Sequence, residues 1–432
     1  MIASPRPATH MAPLLSSVAL LLLGVGLLNT LLAVQAATKG WSPLVIGAVM
    51  SAYFVGYGFG TVATSHLIRR TGHIRAFAVF AALASCTVIG HALTDSAWAW
   101  ASLRLFTGAS LVGLYAVTES WLAAEATGNE RGRFFAAYMV VNLLALAAGQ
   151  FLMVLAPSEA FVLFGVITLL INLSLIPVAM TRLNQPVPPQ STRLRIRVMA
   201  KAAPSAAMGA GISGLSMGAL WGLMPAQAQL SGASALGIAI LMSTVIIGGA
   251  AGQLPIGRYS DGRDRRHVLR ALAVGALLLG LALATVGQWL SFTLSPLVFL
   301  YGALAFSAYP LSIAHLADRL PSEDLLEGAS VMLLLHGAGA AFGPTLGGLL
   351  MSSFGPASLF LYFALCWGAL AVLLHLRLQV ESRQVPVGDP GTFVPMLRTS
   401  VVALEAFAED AAANAAETPE PASSASVSPS TP

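Results

Sequence analysis

The sequence predicts an all-α membrane protein with twelve transmembrane helices in two pseudo-symmetric six-helix bundles. Three observations lead there. Charged residues make up 9% of the chain and hydrophobic ones 56%, whereas soluble domains carry about 25% charged residues. With a mean hydropathy of +0.79, polar groups cannot cover the surface, so the solvent is largely lipid. Apolar runs long enough to cross the hydrocarbon core recur twelve times, and the second six echo the first.

The runs fall at 12–36, 44–67, 75–93, 97–123, 133–155, 160–181, 204–230, 235–259, 267–288, 293–318, 325–352 and 357–378. With no water to satisfy backbone groups, each is expected to be an α-helix. Residues 1–11 form a short basic leader, and Val34-Gln35-Ala36 resembles a signal-peptidase site. The first run is longer than a signal-peptide core, so it is expected to stay as a helix. Residues 12–181 make the first bundle and 204–378 the second. Between them 182–203 is polar, with Pro186, Pro188 and Pro189 followed by Arg193, Arg195, Arg197 and Lys201, and reads as a basic linker. The stretch 379–432 holds seven acidic and two basic residues and ends AETPEPASSASVSPSTP. It cannot bury a core and is expected to be a disordered tail, with a weak surface helix over 398–413.

Lysine and arginine set the orientation. If the N-terminus is cytoplasmic, the even-numbered connections and both termini hold 20 of the 22 basic residues, the exceptions being Lys39 and Arg104. Both termini are therefore expected inside. The pI near 9.3 reflects this bias and not nucleic-acid binding. Cys86 and Cys366 lie in separate apolar runs and read as small core residues.

The repeat shows in single positions. A shift of 192 brings Gln35 onto Gln227, Ser51 onto Ser243, Gly56 onto Gly248, Gly60 onto Gly252 and Gly72 onto Asp264. A shift of 194 brings Asn142 onto His336 and Gly149 onto Gly343. Such parallel halves are a transporter architecture.

Arg104 lies inside the fourth run. A charge at a helix centre costs roughly 2.5–3.5 kcal/mol, so it must face protein or a wet cavity. Two roles fit: a structural bond to helix carbonyls or to an amide such as Asn142, or a contact with an anionic substrate. Glu119, near the end of the same run and next to Trp121 in sequence context, is either a proton carrier in a low-dielectric cavity or a wet interfacial acid. Further polar residues in the first, fourth, seventh and tenth runs are Asn29, Gln35, Trp221, Gln227, Tyr309 and His315, with His336 in the eleventh. Each either contacts a solute or bonds another helix. Glycines at 214, 218 and 222, and at 339, 343 and 347, suit close helix packing. Gly214-Leu-Ser216-Met-Gly218 spells a hydrolase motif, but that motif needs a strand-to-helix turn. No catalytic or metal motif remains, and no enzyme activity or cofactor is expected.

GRYSDGRDRR at 257–266 sits in the connection between the eighth and ninth runs, with Gly257, Asp261, Arg265 and Arg266 at spaced positions. It resembles the loop motif of the major facilitator superfamily. The equivalent SHLIRRTGHIR at 65–75 keeps Arg70, Gly72 and Arg75 but has Ser65 and Arg69 where the motif has Gly and Asp. RLFTGASLVG at 104–113 is similar to the superfamily's Arg-x-x-x-Gly pattern. LNTLLAVQA, ESWLAAE, RGRFFAAYM, GALWGLMPA and HGAGAAFGP resemble the bacterial YcaD-like branch.

The resemblance implies a secondary transporter of the bacterial inner membrane, in which the loop motif helps to shut the cytoplasmic side. The local charges then suggest two pairings: Asp261 with Arg131 and Arg133, and Arg69, Arg70 and Arg75 with Glu323, Asp324 and Glu327. The expected function is alternating-access movement of a small solute, as proton-driven efflux of an organic compound. The alternatives are proton-coupled uptake of an anionic metabolite anchored by Arg104, and a sensor or assembly partner that moves nothing. The expected partners are the solute, protons and the bilayer, with the chain a monomer.

Overall fold

The computed structural model describes residues 8–125, 131–156, 159–180, 195–286, 295–321 and 324–380. Its helices are α1 (Ala8–Thr38), α2 (Pro43–Thr71), α3 (His73–Ala92), α4 (Ala97–Glu125), α5 (Arg131–Phe151), α6 (Ala160–Met180), α7 (Ile196–Ala202), α8 (Pro204–Leu230), α9 (Ala235–Ser260), α10 (Arg265–Val286), α11 (Ser295–Ala317), α12 (Leu325–Phe354) and α13 (Ser358–Val380). Twelve of them are long and apolar enough to cross a membrane, as the sequence predicts. The short α7 falls where only linker is expected. Met199 explains it: this side chain is 1% exposed and is buried among Tyr309, Leu316, Ala329 and Met332 of the second half. The expected tail helix over 398–413 lies outside the described residues.

Helix ends follow local rules. Ser42 and Ser234, related by the shift of 192, cap α2 and α9, their hydroxyls accepting from the backbone N–H of Val45 and Gly237. α2 runs a turn past the expected end, to Thr71. It stops where Gly72 adopts φ +81°, a left-handed conformation that glycine takes without strain. The chain therefore has a basic end, with the turns at 72 and 261–264 and the helix α7, and an opposite end with the turns at 39–42, 93–96 and 231–234.

Close backbone contact holds each half together, and the contacts repeat. A Cβ added at Gly56 would sit 1.9 Å from the Leu105 carbonyl oxygen, and one at Gly248 2.1 Å from that of Phe299. Gly108 faces Tyr53 as Gly302 faces Val245, at 2.0 and 2.1 Å. Gly149 faces Leu23 as Gly343 faces Leu215, at 2.4 and 2.1 Å. In lipid there is little hydrophobic gain between helices, so such small-residue seams provide van der Waals contact instead. The pairs α2/α4 and α9/α11, and likewise α1/α5 and α8/α12, are thus built alike.

The two halves meet toward the opposite end. A Cβ at Gly47 would lie 2.1 Å from the Pro344 carbonyl oxygen, and one at Gly348 2.3 Å from that of Pro43. Ser51 and Thr345 share a hydrogen bond of 2.8 Å, the Leu44 N–H donates to the Ser352 hydroxyl at 3.0 Å, and the Ser243 hydroxyl donates to the Ala147 carbonyl at 2.8 Å. Toward the basic end, α2 packs on α4 through Gly56 and Gly60, and α12 packs on α8 through Gly339 and Gly343. Each helix there joins its own half. Among the described residues, the close contacts named here between the halves gather at the opposite end, and the glycine contacts toward the basic end stay within a half.

A Gly47→Val change should unseal that junction without unfolding either half. In a Cys86→Ala/Cys366→Ala background, Ser51→Cys should then react severalfold faster with an impermeant maleimide added from the opposite-end side. Gly56→Val, which forces apart two helices of one half, should instead cost about 1–3 kcal/mol and deplete folded protein on size-exclusion chromatography.

Candidate functional site

Polar side chains within a bilayer cluster because hydrocarbon offers them no partner. In the first half the cluster bridges α4 and α5. Glu119 is 2% exposed and accepts a 2.9 Å hydrogen bond from the Tyr138 hydroxyl. The Asn142 amide donates to the Tyr138 carbonyl one turn back, at 2.7 Å. Glu119 is thus buried and not wet, because α5 covers it through Tyr138; two residues on, Trp121 packs against the ring of His73. Those two rings lie 5.9 Å apart, and Trp121 is also 2% exposed.

The second half has a counterpart between α11 and α12. The rings of Tyr309 and His336 stand 4.6 Å apart. His336 Nδ1 lies 3.1 Å from the Ser213 hydroxyl and 3.3 Å from the Ala210 carbonyl. The Tyr309 hydroxyl is buried and has no hydrogen-bond partner among the described residues. The shift of 194 that relates Asn142 to His336 also relates Tyr115 to Tyr309, so both clusters occupy the same seam of their halves.

Arg104 sits elsewhere, seven residues into α4, about 10 Å from its start. Its guanidinium carbon lies 4.5 Å over the ring of Tyr53, and the residue is 2% exposed. The register comes from Gly56 and Gly108, which bring α2 and α4 into contact. Tyr53 is two residues from Ser51, so the cation stands beside the sealed junction, on its basic-end side. It is not at mid-helix, and the described contact of Asn142 is with Tyr138 instead.

The remaining expected residues divide. Asn29 is half-buried on α1. Trp221, its equivalent by the shift of 192, is buried against Phe306 with ring centres 6.0 Å apart. Gln35, with Lys39, His91, Trp100, Phe161 and Phe164, lines a crevice of about 70 Å³ between α1, α3, α4 and α6. Lys39 is there paired with Asp95. Gln227 is fully buried and donates to the Ser231 hydroxyl at 3.1 Å, tying down the end of α8. His315 is buried near the basic end, its Nε2 without a hydrogen-bond partner among the described residues.

At the basic end the second-half loop is an ordered charge network. The Arg265 side chain is 1% exposed. It donates to Asp318 at 2.8 Å and to the Ser260 hydroxyl at 3.0 Å, and pairs with Asp261 at 3.3 Å. Arg266 grips Asp264 through two nitrogens, at 3.0 and 2.7 Å. Burial pushes the Asp264 carboxyl up, but the hydrogen bonds and charge of Arg266 outweigh it and leave the group below its usual range. At Asp318 burial prevails over Arg265 and the carboxyl is raised. Gly257 is buried in the last turn of α9.

The first-half loop does not make the expected pairing. Arg69, Arg70 and Arg75 are exposed and form no ion pair among the described residues. Asp324 and Glu327 are held instead by Arg195, whose Nη2 lies 2.8 Å from an oxygen of each. In this state α7, and not the first-half loop, supplies the base at the start of α12. Glu323 and the side chains of Arg131 and Arg133 lie outside the described residues, and with them the expected pairing of Asp261. Sequence reasoning missed Tyr53, Tyr138, Ser213 and Arg195. Tyr115 and Tyr309 carry a signal, since the repeat relates them.

Comparison with known proteins places the fold. The Major Facilitator Superfamily model matches residues 14–202 and 206–414. An uncharacterized MFS-type transporter, YcaD, of Shigella flexneri is 31% identical over 353 residues, covering 81% of this chain and 91% of that protein. Among solved structures, the nucleoside transporter NupG superposes with a TM-score of 0.66 at 16% identity, covering 85% of this chain and 98% of the other. A D-xylose-proton symporter superposes with a TM-score of 0.63 at 13% identity, covering 84% and 96%. Twelve long apolar helices, a repeat visible in its glycine contacts and a family match spanning both halves lead to one conclusion: the chain belongs to the Major Facilitator Superfamily.

Proposed function

We propose that this protein is a secondary-active transporter of the bacterial inner membrane that carries a small anionic solute inward, with protons, by alternating access. The observation that carries the reading is Arg104, a buried cation on the open side of the sealed junction. A guanidinium buried there suits a bidentate carboxylate or phosphate ligand. Tyr53 supports its position through the face of its ring. The basic end is cytoplasmic in this reading because lysines and arginines favour that side. A state joined at the opposite end is then inward-facing.

Glu119 is the proposed proton site. Its partner Tyr138 can donate to a carboxylate and accept from a carboxylic acid, so the hydrogen bond survives either protonation state. Proton coupling is carried over from the name of the xylose-proton symporter as part of the proposal, since likeness at 13% identity bears on fold alone.

Right-side-out vesicles given an acid-outside gradient should accumulate a member of a carboxylate and phosphate panel. Arg104→Lys should lower that uptake about tenfold, because the ammonium loses the planar fork, and leave any neutral solute unaffected. Accumulation only in inverted vesicles would replace uptake with efflux.

Glu119→Gln should abolish gradient-driven accumulation and preserve solute exchange at equal pH. Tyr138→Phe should lower accumulation more than tenfold, since a hydrogen bond to a charged group is worth roughly 1.5–3 kcal/mol. Full accumulation in Glu119→Gln would remove this residue from proton coupling.

A further inference from the structure

The acids at the start of α12 have two sets of bases within reach of the chain's design. Arg195 holds them here through five contacts. Its backbone N–H donates to Glu327 at 2.6 Å, its Nε lies 3.1 and 3.0 Å from the two Glu327 oxygens, and its Nη2 lies 2.8 Å from Glu327 and 2.8 Å from Asp324. Arg195 stands at the start of α7, and Met199, four residues on, is sunk in the second half. The clasp therefore rides with the second half.

The other set is Arg69, Arg70 and Arg75. The sealed junction fixes their relation to the acids. From Ser51 to Arg69 along α2 is eighteen residues, and from Thr345 back to Glu327 along α12 is also eighteen, about 27 Å in each helix. Two rods hinged near Ser51 and Thr345 bring Arg69 and Glu327 to one height when their basic ends swing together. The repeat points to the same pair: a shift of 192 relates Arg69 to Asp261, a shift of 194 relates Arg133 to Glu327, and each pair is opposite in sign.

We propose that Arg195 and the 69–75 arginines compete for Asp324 and Glu327, so that the linker clasp stabilises the state parted at the basic end and its release accompanies closure. The inference rests on the alternating-access reading. It assigns Arg195 no contact with solute. Removing the clasp frees the acids for the first-half loop and favours closure, while removing the acids leaves neither claimant a ligand.

The test reads conformation and not flux. Spin labels are placed at His66→Cys and Arg263→Cys in the Cys86→Ala/Cys366→Ala background, and distances across the basic end are measured in lipid vesicles by pulsed dipolar spectroscopy. Arg195→Ala should raise the short-distance population about threefold, the scale of a small network of exposed ion pairs. Adding Glu327→Gln to Arg195→Ala should return the distribution toward that of the parent. Arg195→Lys, which keeps the charge but not the fork, should give a smaller shift in the same direction and serves where the alanine variant does not fold. An unchanged distribution in Arg195→Ala, or in Arg195→Lys if that variant stands in, would overturn the clasp, as would a shift toward longer distances. A single distance that no variant and no pH gradient moves would remove alternating access itself, and the clasp with it.

Discussion

The structure depends on backbone meeting backbone. In water, apolar side chains would drive the helices together, but here the surrounding lipid is as apolar as they are. Glycine lets two helix axes approach until the carbonyl of one touches the Cα of the other, as Gly56 does at Leu105 and Gly248 at Phe299. Those contacts fix register as well as distance. Once α2 and α4 are locked by Gly56 and Gly108, Arg104 can only stand over Tyr53. The same device, used across the halves by Gly47 and Gly348, seals one end.

The seams between the fourth and fifth transmembrane helices of each half work differently. There side chains do the joining, Tyr138 with Glu119 in one half and Tyr309 with His336 in the other. Such a link is made of titratable and hydroxylic groups, whereas a glycine seam offers only backbone contact. Each half thus combines glycine-packed helix pairs with a polar seam.

Much of the fold was legible in the sequence because lipid imposes a length and a composition on every crossing. Twelve runs became twelve long helices, and the glycine spacings became contacts. What was not legible depended on tertiary register. Nothing near Met199 announces that it will be buried by α11 and α12, so α7 read as linker. Glu119 beside Trp121 resembles an interfacial pair, and only the placement of Tyr138, on the next helix, makes it dry. Gln35 matches Gln227 by the repeat, yet it lines a crevice with Lys39 and His91 while Gln227 is buried at the end of α8. The charges at the basic end were recognisable as partners, but a sequence does not say in which state they meet.

The sign inversion between the halves reaches beyond gating. Positions 69 and 133 are both arginine, and their counterparts 261 and 327 are both acidic. A duplicate of the first half offered to itself would set base against base, and a duplicate of the second, acid against acid. At these positions like charge meets like in any pairing of a half with its own copy, and opposite charge meets opposite only between a first half and a second.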